Sequence, residues 1–256
     1  MKAIILAAGR GSRMKELTAS CPKCLTNLNG KPILEWQLQA FRKANIKEIA
    51  IVSGYKRRFL TKYNLVEFHN KDWAKTNMIT SLACAETWLK ENVCIVSYGD
   101  IFFDHSALES LKKATADIAI TYDSNWKNLW IKRFKQPLLD AETFKINGED
   151  VVVDIGNKPK GFKEIQGQFM GLFRLTPKGW SVLQKVRQNL SPTKCNQIDT
   201  TYALRKVIES NMTKVKGVKY EKPWGEVDTE TDLSVYKDYK NFQNPLINSS
   251  QKHGFH

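Results

Sequence analysis

Leu6 to Met14 reads LAAGRGSRM, a run whose residue types suit a polyphosphate. Ala7, Ala8 and Gly9 are small enough for the backbone to come close to a ligand, while Gly9 and Gly11 add conformational freedom and exposed N–H groups. Arg10, Arg13 and, a little further on, Lys23 place permanent positive charge around the same turn. A second group sits far along the chain, where the apolar run Val93–Ser97 ends in Tyr98-Gly99-Asp100. A carboxylate directly after a glycine at the end of a buried strand projects into a crevice. Mg²⁺ is a hard ion that accepts one or two carboxylates together with phosphate oxygens, so Asp100 has the chemistry to hold it beside a triphosphate.

The loop is neither of two common phosphate loops. It lacks the Gly-Lys-Ser/Thr ending of the P-loop, and Met14 stands where the dinucleotide fingerprint needs its last Gly or Ala. LAAGRGSRM, followed by Thr18 and by Pro22-Lys23, instead resembles the signature of the nucleotidyltransferase superfamily that activates sugar phosphates and phosphocholine. That resemblance implies transfer of a nucleoside monophosphate to a phosphorylated small molecule. It makes Arg13 and Lys23 the catalytic cations on the triphosphate, with Leu6, Ala7, Ala8, Gly9, Gly11, Ser12 and Gly99 around the nucleotide. It makes Asp228, in Trp224-Gly225-Glu226-Val227-Asp228-Thr229, the partner of Asp100 on Mg²⁺. Glu226 is set aside, on the expectation that strand alternation turns it toward the site only if the chain bends.

Ser53-Gly54 closes the expected strand Glu48 to Val52, at the end where open α/β sheets bind ligands, and is the expected place for the base. Thr76 and Asn77 suit helix capping, and Thr76-Asn77-Met78 with Ser81 resembles the cytidylyltransferase branch, where this segment faces base and ribose. The acceptor is expected over the middle of the chain. Trp130, Lys132, Arg133 and Lys158 combine aromatic rings with cations suited to a carboxylate-bearing acceptor of amino-acid character. Asn157-Lys158-Pro159 is a loose match to the Glu-Lys-Pro element of sugar-phosphate members. The run from Trp130 to Thr143, with Glu164 to Gln168, resembles cytidylyltransferases of bacterial surface polysaccharide modification, the phosphoramidate (phosphoglutamine) type among them. That places Gln168 with the acceptor and implies CTP as donor. Two other readings stay open: a sugar-1-phosphate nucleotidylyltransferase using UTP or dTTP, and a non-catalytic regulatory relative.

These residues need a scaffold, and strand-like runs alternating with helix-like ones supply it. The alternation predicts an α/β fold: a Rossmann-like, doubly wound sheet, mixed but mostly parallel, with helices on both faces and a small β-hairpin insertion at Glu142–Ile146, Asn147-Gly148 and Val151–Ile155. Ile33, Leu34, Leu38 and Phe41 share a helical face, an apolar helix is expected from Thr76 to Leu89, and Asp199 opens another. A chain of 256 residues supports one such unit, expected over 1–240, with a polar tail over 241–256. Five cysteines argue against a secreted disulfide framework, and Cys21-Pro22-Lys23-Cys24 lacks the second pair a zinc site needs. No stretch has about 18 uninterrupted apolar residues, so a soluble cytoplasmic protein is expected. Residues 1–64 hold 13 Lys or Arg against 3 Asp or Glu, which is +10 of the net +14. A field of that size draws in an anion. With no nucleic-acid module and no basic-aromatic repeat, the expected partners are CTP and a phosphorylated small molecule, not nucleic acid or membrane.

Overall fold

Both faces of the strand Lys2–Ala7 are apolar: Ala3 and Ile5 point to one side, Ile4 to the other, and all three are fully buried. Such a strand belongs in the middle of a sheet covered on both sides. In the computed structural model, which describes residues 1–237, it is the fifth of seven strands. Their order across the sheet is Val215–Tyr220, Ile118–Asp123, Gln168–Leu175, Cys94–Tyr98, Lys2–Ala7, Ile49–Ser53 and Val66–His69. Every pairing is parallel except the two made by Gln168–Leu175. The sheet is therefore mixed and mostly parallel, as expected. Ala3, Ile5 and Ile51 pack against the helices Ile33–Lys43 and His105–Lys112, while Ile4, Val52 and Val96 pack against Met78–Ala83, Pro177–Gln188 and Thr200–Glu209. Among the described residues no helix is long and apolar enough to cross a membrane. The polar tail expected over 241–256 lies outside the described residues.

Parallel pairing brings Ala7, Ser53 and Tyr98 to the same edge of the sheet, and the antiparallel strand contributes its start, Gln168, paired with Asp123. The insertion forms as the hairpin Phe144–Ile146 and Val152–Ile155, with the Asn147 side chain accepting from the N–H groups of Glu149 and Val151. The helix expected from Thr76 to Leu89 is two helices, Met78–Ala83 and Glu86–Glu91. Between them Cys84 and Ala85 donate to carbonyls three residues back, a 3₁₀-type tightening that breaks the α ladder.

A second, two-stranded ribbon pairs Ile101–Phe103 with Trp224–Glu226, and Val227 N–H donates to the Asp100 carbonyl at 3.0 Å. The ribbon is what carries Asp228 to Asp100 across the chain. Gln37, fully buried on its helix, anchors the turn that begins the ribbon: its amide donates to the carbonyls of Tyr98 at 2.8 Å and Ile101 at 2.6 Å and accepts from the Ser97 hydroxyl. Replacing it with Leu removes the Gln37 donor from the buried Ile101 carbonyl, while the Tyr98 carbonyl keeps the Ser97 hydroxyl at 3.1 Å. Gln37→Leu is expected to lower unfolding free energy by about 1–3 kcal/mol in urea titration, the cost of one orphaned buried group.

Candidate active site

Two cavities meet at the sheet edge. The first, of about 220 Å³, is walled by Leu6, Ala7, Ala8, Gly9 and Gly11 of the opening loop, by Arg13 and Lys23, by Thr76, Asn77 and Ser81, and by Gly99 and Asp100. The loop is fixed from beneath: Thr18 donates to the Gly11 carbonyl at 3.0 Å, and the Tyr55 hydroxyl donates to the Thr18 carbonyl at 3.0 Å. Gly11 has φ of +68°, and a side chain there would meet the Lys23 stem at 2.7 Å, so its lack of a Cβ sets where Lys23 runs. Buried Asn70 donates to the hydroxyls of Thr76 at 2.9 Å and Ser81 at 3.0 Å, aligning both on one wall.

Three expected nucleotide contacts lie elsewhere. Ser12 is exposed and off the wall. Ser53 is fully buried, with its hydroxyl on Glu67. Gly54 stands behind the wall, where a Cβ would lie 2.6 Å from both the Ala8 carbonyl and Trp73 Cβ. Its contribution is to let Trp73 close in; Cys24, Trp73 and Tyr98 are the wall residues that sequence reasoning missed, and Met78 lies on the wall with the Thr76-Asn77-Met78 segment. Cys21 and Cys24 are free thiols, and burial, with Asp100 nearby, pushes the Cys24 thiol up to about 12.

Asp100, Glu226 and Asp228 come together between the two cavities, with one carboxylate oxygen from each within 4.8 Å of the others. Glu226 is therefore part of the cluster, correcting the expectation that set it aside. Residues two apart on an extended chain share a face, so the same alternation that points Asp228 inward points Glu226 inward. Lys23 Nζ lies 2.5 Å from both Asp100 Oδ2 and Asp228 Oδ1, and Arg13 Nη2 lies 2.8 Å from Asp228 Oδ1. Burial alone would discharge Lys23, but Asp100 and Asp228 overcome it and hold the ammonium well above its ordinary range. Burial likewise opposes charge on Asp228, and Lys23, with Arg13 and Arg133, pulls its carboxyl below the ordinary value. Glu226 is pushed the other way by burial and by Asp228. A divalent cation fits this donor set: all three ligands are hard oxygens, and buried Asp100 Oδ1 has no hydrogen-bond partner among the described residues.

Arg133 is not the acceptor contact its position suggested. Its side chain is fully buried behind the cluster, between the rings of Trp130 and Phe134. Nη1 donates to Glu226 Oε2 at 3.1 Å, Nη2 to Asp228 Oδ2 at 3.3 Å and Nε to Asp232 Oδ1 at 3.0 Å. Asp232 also accepts from the N–H groups of Asp228 and Thr229, so the guanidinium is locked into the start of the last described helix, Glu230–Val235. Lys132 is exposed, and Lys158 is exposed with its ammonium on the Leu139 carbonyl; neither lines the second cavity.

That second cavity, of about 200 Å³, shares Arg13, Met78 and Tyr98 with the first, and includes Trp130 and Gln168 as expected. Its other polar walls are acidic: Asp140, Glu142 and Asp199, with Glu226 and Asp228 at the junction. Among the described residues Arg13 is the one Lys or Arg on its lining. Gln168 bonds the Glu142 backbone from both ends of its amide, and the Thr201 hydroxyl lies 3.2 Å from Glu142 Oε1 and 3.1 Å from Asp199 Oδ1, its one proton shared between them. Burial, then Asp199, pushes the Glu142 carboxyl up to about 7. Glu142 was legible only as the start of a strand.

A glycine-rich cradle, two cations and a carboxylate cluster between two chambers make the site of a nucleotidyltransferase. The chain belongs to the MobA-like NTP transferase domain family, which it matches over residues 3–147. It is 34% identical to the CTP:phosphoglutamine cytidylyltransferase of Campylobacter jejuni over 255 residues, covering 92% of this chain and 98% of that protein. The choline-phosphate cytidylyltransferase of Haemophilus influenzae is 32% identical over 161 residues, 61% of this chain and 64% of the relative. Among solved structures, the inositol-1-phosphate CTP transferase from T. maritima superposes with a TM-score of 0.76 at 20% identity, over 95% of this chain and 96% of that one. The CTP:phosphocholine cytidylyltransferase from Streptococcus pneumoniae gives 0.70 at 21% identity, over 93% and 98%. These two likenesses speak to the fold.

Two outcomes follow from the geometry. Arg133→Met strips a buried cation from three carboxylates, and should cost about 3–5 kcal/mol in chemical denaturation. Glu142 has a folded-state value above its ordinary 4.5, so the unfolded chain loses that proton first and stability falls as pH rises from about 4.5 to about 7. Glu142→Gln should thus match wild type in melting temperature at pH 4 and exceed it at pH 8, by roughly 1–3 kcal/mol of stability.

Proposed function

We propose that the protein is a Mg²⁺-dependent cytidylyltransferase that moves CMP from CTP to a phosphoryl oxygen of a small acceptor. The observation that carries this reading is the placement of Arg13, Lys23 and the carboxylate cluster at the junction of two chambers. An acceptor oxygen, already anionic at neutral pH, forms a bond to the α-phosphorus of CTP; the bond from that phosphorus to the β-phosphate oxygen breaks, and its electron pair leaves with pyrophosphate. No general base is needed. Arg13 and Lys23 hold the charge on the triphosphate, and the backbone of Ala8 to Gly11 positions it. Mg²⁺ held by Asp100 and Asp228, with Glu226 beside them, would neutralise charge on the phosphates.

The relatives named for CTP support cytosine as the base, with Thr76, Asn77 and Ser81 as its readers. The acid-lined chamber, whose single Lys or Arg among the described residues is Arg13, supports an acceptor that brings an ammonium group along with its phosphate, phosphonate or phosphoramidate. A phosphorylated glutamine satisfies this through its α-amine, with Glu142 and Asp199 in place of the Arg133 fork expected from sequence. Its CMP adduct would serve surface polysaccharide modification, as the resemblance implies.

Calorimetric titration with Mg²⁺ should give CTP at least tenfold tighter binding than UTP, ATP or GTP, because a base that leaves buried polar groups unpaired is strongly rejected. Pyrophosphate release with CTP should be at least tenfold more efficient with phosphoethanolamine than with ethyl phosphate or phosphoglycolate. Tighter UTP binding, or equal use of ethyl phosphate, would refute the corresponding half of the reading.

A further inference from the structure

Asp228 has no open oxygen at the junction. Oδ1 takes both Lys23 and Arg13, at 2.5 and 2.8 Å, and Oδ2 takes Arg133. Asp100 gives Oδ2 to the same Lys23 ammonium, while its Oδ1 has no partner among the described residues. The two cations from the loop region and the one from behind thus act differently. Arg133 is buried and forked into a fixed frame, with no room to leave. Lys23 instead lies along the boundary: its stem runs beside Gly11, and the same side chain lines the nucleotide chamber. Its ammonium can therefore exchange two carboxylates for phosphate oxygens by rotation about its own stem.

We infer that Lys23 is a placeholder for the divalent cation, neutralising the Asp100–Asp228 pair in the nucleotide-free protein and releasing it when a triphosphate arrives. This rests on reading the carboxylate cluster as the metal site. A dication and an ammonium cannot share Asp228 Oδ1 at contact distance without strong repulsion in a partly buried site. The free protein therefore binds a divalent cation weakly, and the phosphates that draw away Lys23 open the site; Arg13, whose side chain is exposed, can swing off Asp228 Oδ1 into water, so buried Lys23 is the cation that holds the site closed. Coupling of this kind is reciprocal: whatever factor the triphosphate adds to cation affinity, the cation adds to triphosphate affinity.

The inference reverses the usual sign of a site mutation. Removing a residue that helps hold the nucleotide should tighten cation binding to the empty protein. The test titrates Mn²⁺ against nucleotide-free wild type, Lys23→Met and Lys23→Gln, reading free Mn²⁺ by electron paramagnetic resonance, with circular dichroism melts to confirm folding. Both variants should bind Mn²⁺ at least tenfold more tightly than wild type while losing affinity for CTP. Adding Asp228→Asn to Lys23→Met should abolish the gain. Folded Lys23 variants that bind Mn²⁺ no better than wild type, including no detectable binding by either, would overturn the placeholder. A gain that survives Asp228→Asn would instead overturn the assignment of the metal site itself.

Discussion

Three carboxylates with oxygens within 4.8 Å of one another, largely removed from water, repel, and this is the constraint around which the protein is arranged. In isolation such a cluster would take up protons and lose its use for a cation. Arg133 relieves it from behind and Lys23 with Arg13 from in front, so the charge is balanced without any one cation carrying it. The burial that makes the repulsion severe also strengthens each of these pairs, because little water screens them. A buried guanidinium is well suited to the rear position: it stays charged, and its planar fork serves Glu226, Asp228 and Asp232 at once.

The fold is what allows carboxylates 128 residues apart in sequence, Asp100 and Asp228, to meet. The parallel core ends its strands at one edge, and the short ribbon of Ile101–Phe103 with Trp224–Glu226 extends past that edge to dock the late segment on the early one. Beneath the ribbon, Gln37 ties the Asp100 turn to a helix on the other side of the loop. A third small core of Met14, Leu28, Ile33, Phe102, Val227 and Tyr236 seals the base, so the glycine-rich loop and the helix that anchors Arg133 share one apolar foundation. The two chemical halves of the site are therefore mechanically linked.

Much of this was legible in the sequence, and the reason is periodicity. Ala3-Ile4-Ile5-Leu6 and Val93-Cys94-Ile95-Val96 could only be strands buried on both faces, and the small residues and carboxylate that follow them had to fall at the sheet edge. What could not be read was orientation on irregular or mixed elements. Arg133 sits on a helix rich in aromatics and cations, Trp126–Arg133, where apolar and charged residues do not sort cleanly into faces, so nothing local says that its head turns inward to meet acids nearly a hundred residues later. Ser53 and Gly54 lie at the expected edge but one layer behind the wall: Ser53 is turned onto Glu67, and the bulk of Trp73 that stands before Gly54 arises from a loop without a pattern. Glu226 was a different kind of miss: period two already put it beside Asp228.

Under the proposed function, the contrast between the chambers would give the site its selectivity. In the first chamber, backbone N–H groups, Arg13 and Lys23 offer donors to an anion. On the other side Asp140, Glu142 and Asp199 present acceptors, and in the proposed reaction the phosphoryl group of the second substrate would have to pass them to reach the α-phosphorus. A simple anion would be repelled twice there, by the acidic wall and by the triphosphate. A substrate with its own cation would meet that wall as an attraction, and its ammonium, left among the carboxylates, would aim the phosphoryl end at Arg13, where the chambers join. The charge on the wall would then act as both filter and alignment device. Its strength follows the ionisation of Glu142, which Thr201 holds beside Asp199 and which burial keeps near neutrality.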